Sequence, residues 1–101
     1  MRMILFYDLP SVTYTERRVY RKFHRYLEKE GFIQMQESVY TKLALNSSIS
    51  KAVLQRIRSN SPKKGFIQVL IVTEKQFSQI ECIVGAFHTD QINSEERLIV
   101  L

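Results

Sequence analysis

The residue best placed to do chemistry is Asp8. It follows the run Met3-Ile4-Leu5-Phe6-Tyr7, and Leu9-Pro10 comes directly after it. An unbroken apolar run of this length suits a strand buried on both faces. Asp8 then falls where the strand leaves the core, and Pro10 has no N–H to extend a ladder. A carboxylate at the mouth of a buried strand must be paired or bound to a cation. One reading makes Asp8 a metal ligand or catalytic acid. The other makes it a cap for the following turn, a common use of aspartate. These residues alone leave both open.

Other reactive groups are few. His24 and His88 are the only histidines, and neither has a neighbour at metal-ligand spacing, so both are expected at the surface. Cys82 is the only cysteine. It lies in an apolar run and is read as a small core residue. Ser38 is a nucleophile in principle, but no general base accompanies it. There is no Gly-rich phosphate loop and no cysteine pair for zinc. Two-metal phosphodiester cleavage normally needs several carboxylates, whereas Mg²⁺ accepts one or two when water and phosphate complete its shell. A symmetric dimer that brings two copies of Asp8 together across its axis would make such a site from one residue type.

Basic residues are concentrated. Arg18, Lys22, Arg25 and Lys29 are spaced by four, three and four, which puts them on one side of a helix. Arg17 and Arg21 flank them, and Glu28 and Glu30 offset little of the charge. Like charges at this spacing weaken an isolated helix, so an anionic partner, contacted through its phosphates, explains the face better than solvation does. Lys63-Lys64-Gly65 forms a second basic cluster, with phosphate contact and a solvated turn as equal readings.

The elements that must position these groups follow from pattern. Thr13-Tyr14-Thr15-Glu16 reads as a capping box, opening a helix from about Tyr14 to Glu30 that stops at Gly31. Its apolar stripe is Val19, Tyr20, Phe23, Tyr26 and Leu27. From Phe32 to Leu45 apolar residues take odd positions, which predicts one long half-buried strand, or two joined by a bulge near Glu37-Ser38, with Tyr40 on the polar face. Asn46-Ser47-Ser48 caps a second helix over about Ser48 to Ser59, with Ile49, Ala52, Val53 and Ile57 inward. Phe66 to Val72 is read as another central strand. Thr73-Glu74-Lys75-Gln76 is a second capping box with one helical turn, and Ile80 to Val84 is read as a strand. Gly85 to Asn93 is read as loop, and Leu98-Ile99-Val100-Leu101 as a short terminal strand that needs a partner. The order predicts an α+β chain, a ferredoxin-like βαββαβ sandwich with extra C-terminal strands and both helices on one face. The bare face of such a sheet exposes apolar side chains, which argues for a homodimer.

With 101 residues, one domain over 1–101 is expected. Apolar content of 45% excludes a disordered chain. The N-terminal apolar run is too short for a membrane span and is broken by Asp8 and Pro10 where a signal peptide needs apolar residues. With a lone cysteine, this reads as a cytoplasmic protein with no membrane partner. Fifteen Lys and Arg against ten Asp and Glu give a net charge of +5. For so small a domain that points to a polyanionic partner, above all nucleic acid.

Tyr7-Asp8-Leu9 at the strand end, the basic helix ending at Gly31, and Gln36-Glu37-Ser38-Val39-Tyr40 together resemble the small CRISPR-associated protein two family. Asn60-Ser61-Pro62-Lys63-Lys64-Gly65 and Asn93-Ser94-Glu95-Glu96-Arg97 resemble its versions from single-effector, two-RNA systems. The resemblance covers essentially the whole chain. It implies a ferredoxin-like homodimer whose final strand, about 97–101, crosses to the other subunit. It implies Mg²⁺, or another divalent ion such as Mn²⁺, between two copies of Asp8, with cleavage of RNA or double-stranded DNA. It also implies partnership with the CRISPR integrase, the dimer bridging it and holding a prespacer DNA duplex. By position Asp8 is the metal ligand, and Tyr7, Ser38 and Tyr40 lie near the dimer cleft. Arg17, Arg18, Arg21, Lys22, Arg25, Lys29, Lys63 and Lys64 are the backbone-binding candidates.

Three functions compete: a metal-dependent endonuclease using Asp8, a non-catalytic scaffold that clamps duplex DNA, and a stand-alone, toxin-like ribonuclease. The residue inventory leans to the scaffold, the resemblance to the nuclease, and one molecule can be both.

Overall fold

A computed structural model describes residues 1–85 of the chain. The elements run β1 (Arg2–Asp8), α1 (Tyr14–Glu30), β2 (Ile33–Gln36), β3 (Val39–Leu43), α2 (Ser47–Asn60), β4 (Phe66–Val72) and α3 (Glu74–Ser78). The strands form one antiparallel sheet in the order β2-β3-β1-β4. This is the expected ferredoxin-like βαββαβ arrangement. The expected terminal strand, about 97–101, and most of the expected loop before it lie outside the described residues.

The caps follow the local sequence. Thr13 accepts from the Glu16 N–H at 3.1 Å, while the Glu16 carboxylate accepts from the N–H groups of Thr13 and Val12, each at 3.0 Å. Those backbone donors, Thr13 first, draw the Glu16 carboxyl below its ordinary value. At the other end Gly31 takes the left-handed conformation, and its N–H reaches the carbonyl of Glu28. Thr73 and Gln76 make the second capping box, which opens α3.

One core lies between the sheet and the paired helices α1 and α2. Met3, Leu5, Tyr7 and Tyr40 supply the sheet side, Phe23 and Leu27 come from α1, and Val53 and Ile57 come from α2. Val19, expected in the stripe of α1, lies at its margin and stays exposed. The stripe of α2 is turned by one residue from expectation. Ser50 faces in with Val53 and Ile57, while Ile49 and Ala52 are exposed. Ser50 tolerates burial because its hydroxyl donates to the carbonyl of Ser47 at 2.9 Å.

Three strand expectations are corrected. Of the two readings of Phe32 to Leu45, the two-strand one holds, joined by a turn at Glu37-Ser38 with the register shift at Gln34/Gln36. The turn flips the alternation, so Tyr40 is fully buried rather than on a polar face. Second, β4 is an edge strand among the described residues, not a central one. Its apolar residues alternate between the core side, with Ile67 and Val69, and the open side, with Phe66 and Leu70. Third, Ile80 to Val84 forms no strand. It is irregular, Ile83 and Val84 are exposed, and Cys82 is half-buried rather than a core residue.

The same logic revises β1. Its residues are not buried on both faces: Met3, Leu5 and Tyr7 point to the helices, while Phe6 and Asp8 are exposed on the other face. At one end of that open face stands α3. Arg2 is buried there, makes two hydrogen bonds of 2.8 and 2.9 Å to Glu74, and lies 4.3 Å from the ring centre of Phe77. Beyond α3, Phe6, Leu43, Leu70 and Phe66 leave an apolar strip exposed. Among the described residues, no helix is long and apolar enough to cross a membrane.

Candidate nucleic-acid interface

Asp8 is the last residue of β1. It pairs with Phe66 in the register of β4 and is exposed. The backbone around it is held on both sides. The Tyr7 N–H donates to the carbonyl of Ser38 at 3.1 Å, tying the strand to the β2–β3 turn. On the other side Gly65, at a φ of +93°, lies against Asp8 and Leu9 so closely that a Cβ there would stand 2.6 Å from the Asp8 carbonyl oxygen. The backbone that carries the carboxylate is therefore held at one corner of the open sheet face.

Among the described residues no three His, Cys, Asp or Glu side chains stand close enough together to hold an ion. What Asp8 offers is a single exposed hard-oxygen donor. That suits Mg²⁺ or Mn²⁺ when a second carboxylate, water and phosphate complete the shell.

Of the residues expected near a dimer cleft, Tyr7 and Tyr40 are in the core and Ser38 is half-buried in its turn. The two tyrosine rings are stacked with centres 5.8 Å apart. Tyr20 and Phe23 meet the Tyr7 ring edge-on, at 5.6 and 5.5 Å. The Tyr7 hydroxyl donates to that of Tyr40 at 3.5 Å, and Tyr40 bonds the His24 Nδ1. His24 Nε2 lies 3.3 Å from the Glu28 carboxylate. Burial raises both phenols, Tyr7 strongly, the contacts with Tyr40 and Tyr20 adding to the effect at Tyr7. Both stay neutral, so this chain of groups buttresses the end of β1 and has no ready nucleophile.

His24 is thus not the plain surface residue expected. It is half-buried and joins α1 to β3. The available signal was Glu28 at i+4, together with a place at the edge of the apolar stripe.

All eight basic candidates are exposed: Arg17, Arg18, Arg21, Lys22, Arg25, Lys29, Lys63 and Lys64. Arg18, Lys22, Arg25 and Lys29 run along one side of α1, as their spacing requires. Arg17 is partly committed, because its guanidinium bonds the carbonyl of Val12. The fold brings Lys22 together with Lys63 and Lys64 around one cleft between α1 and the α2–β4 loop. Arg58, near the end of α2, is a further exposed cation that the sequence reading passed over. Glu30 is not free to offset the stripe. It holds Arg56 of α2 at 2.6 Å and accepts from Tyr26 at 3.0 Å.

A small basic α+β protein with one exposed carboxylate at the end of its first strand, and cations spread along its first helix, is the class these features define. The chain belongs to the family described as CRISPR associated protein Cas2, whose profile matches residues 1–80. Among its relatives are proteins named CRISPR-associated endoribonuclease Cas2. That of Treponema denticola is 46% identical over 101 residues, the full length of both chains. That of Streptococcus mutans UA159 is 50% identical over 101 residues, covering all of this chain and 93% of the relative. That of Ligilactobacillus salivarius is 42% identical over the full length of both.

Proposed function

We propose that this chain acts in CRISPR adaptation as a symmetric dimer, an endonuclease on RNA or double-stranded DNA that also holds duplex DNA and bridges the CRISPR integrase. The observation that carries the reading is the place of Asp8: the one acid at the end of β1, fixed between Ser38 and Gly65 on an open sheet face. Relatives named endoribonucleases, at up to 50% identity, support the cleavage half of it.

In this reading the apolar strip of Phe6, Leu43, Leu70 and Phe66 is covered by a second copy, because exposed apolar area of this kind is what association removes from water. The two Asp8 carboxylates would then hold Mg²⁺ or Mn²⁺ between them. The ion, when bound, would supply Lewis-acid polarisation of a phosphoryl oxygen. The chain's own part is positioning. Arg18, Lys22, Arg25 and Lys29 neutralise backbone phosphates, and the held backbone at Asp8 limits where its carboxylate can reach. The scarcity of other acids keeps a second reading alive, a DNA-holding scaffold in which cleavage is dispensable.

The test pairs two assays on Asp8→Ala: cleavage of labelled RNA and duplex DNA with Mg²⁺ or with chelator, and spacer integration with the partner integrase. The nuclease reading expects metal-dependent cleavage that the substitution abolishes. Full cleavage by Asp8→Ala overturns it, and lost cleavage with intact integration makes the scaffold the main role. Sedimentation of the purified chain as a lone subunit at all concentrations would remove the dimer.

A further inference from the structure

The cleft that gathers Lys22, Lys63 and Lys64 has a volume of about 490 Å³, inside the range of about 300–1,000 Å³ usual for small-ligand sites. Its floor is apolar, built from Leu9, Pro10, Val19, Phe23 and Pro62. Its rim is cationic. Glu16 and Lys64 both line the cleft. Glu16 Oε1 is already occupied by the Thr13 and Val12 N–H groups, and none of the ion pairs among the described residues holds Lys22, Lys63 or Lys64, so the lysines remain available to an outside anion. The cleft lies at the same end of β1 as the candidate catalytic acid, on the helix side of the sheet. Leu9 and Pro10 follow Asp8 in the chain, and Gly65, next to Lys64, is packed against the Asp8 backbone.

A duplex would use little of this. It offers phosphates to the rim, but its bases are stacked and paired, and the floor gains nothing from it. An unpaired nucleotide matches both halves, with a phosphate on the lysines and a base face against the proline and aliphatic floor. We propose that this cleft is a subsite for one unpaired nucleotide of a strand that passes round the end of β1 to Asp8. The assignment rests on the nucleic-acid reading above and deepens it. The protein would hold a single-stranded end or loop leading to Asp8, and its basic helix face would take the rest of the backbone.

The test fills the floor without changing charge. Val19 lines the cleft and is exposed, so Val19→Trp occupies the space where a base would lie. Thr15→Trp does the same from the rim. Affinities of the full chain for a labelled single-stranded oligonucleotide and for a blunt duplex of equal length are measured by anisotropy at one salt concentration. Thermal melting confirms that each variant is folded, and Thr15→Trp carries the test should Val19→Trp fail to fold. The expected result is a fall of about fivefold or more in the ratio of single-strand to duplex affinity, the scale of losing one base contact. An unchanged ratio in a folded variant overturns the subsite while leaving the wider reading in place. Wild-type protein that binds neither probe overturns both.

Discussion

Gly65 and Asp8 are locked back to back. A Cβ on Gly65 would lie 2.6 Å from the Asp8 carbonyl oxygen and 2.8 Å from Leu9 Cδ2, and the glycine's φ of +93° is one that L side chains rarely adopt. The basic loop after α2 is therefore tied to the strand end that carries the candidate catalytic acid. Gly65→Ala should cost about 1–3 kcal/mol of stability through the strained backbone alone. It should also lower cleavage more than the loss of folded protein explains, because the clash is relieved by moving Asp8. Urea unfolding alongside specific activity checks this, and a variant with unchanged midpoint and activity would show that the contact gives way without consequence.

The strand ends and caps could be foreseen because their causes are local. Thr13 with Glu16, Thr73 with Gln76 and Gly31 each satisfy backbone groups within four residues of themselves. The errors came where a neighbour distant in sequence decides. Alternation alone puts Tyr40 on the polar face, but one turn at Glu37-Ser38 reverses the side chains that follow it. Phe66 to Val72 looked central because its open side is apolar too, yet it lies at the edge. Asp8 stood out by its own position, while the cleft did not. Lys22 and Lys63 are far apart in the chain, and only packing of the α2–β4 loop against α1 makes them neighbours.

Tyr40 offers a second prediction. Its ring is fully buried and its hydroxyl joins Tyr7 to His24. Tyr40→Phe keeps the packing and strands those two partners, an expected loss of about 1–2 kcal/mol. Tyr40→Ala opens a cavity as well, for about 3–5 kcal/mol. Chemical denaturation of the two variants separates hydroxyl from ring, and equal losses would mean that the hydroxyl contacts contribute nothing.

Glu74 is expected to matter more than a surface acid. Its partner Arg2 is buried, at 3% exposure, and the Nε and Nη2 of its guanidinium each bond one carboxylate oxygen. Glu74→Ala leaves a buried cation without its counter-ion. The cost should approach the lower end of the penalty for breaking a buried pair, about 1–3 kcal/mol, because Glu74 itself is partly solvated. Arg2→Met with Glu74→Ala should recover part of that loss. A double variant no more stable than Glu74→Ala would argue against an unpaired charge as the cause.

Acid should weaken the contact between the two helices. The Glu30 carboxyl is held below its ordinary value of 4.5, first by the hydrogen bonds from Arg56 and then by Tyr26. The same contact, after burial, helps to raise the Tyr26 phenol to about 12. A depressed folded-state value means that the unfolded chain takes up the proton first. The stabilisation is therefore whole above 4.5 and is lost as pH falls below it through the folded-state value. Arg56→Ala should lower the melting temperature at neutral pH, and its difference from wild type should shrink over that acid range. A difference independent of pH would place the effect in packing instead.

The basic stripe makes a prediction about salt. Arg18, Lys22 and Arg25 are exposed on one side of α1, and none of them is held in an ion pair among the described residues. If each neutralises one phosphate, each contributes about 0.9 to the slope of log affinity against log salt on duplex DNA. Replacing all three by glutamine should thus flatten that slope by about 2.7 and weaken binding evenly across sequences. The substitutions leave the buried side of the helix, Phe23 and Leu27, untouched, so melting should change little. A slope that stays at its wild-type value would move the duplex-binding surface off α1, and Lys63, Lys64 and Arg58 would be the next cations to replace.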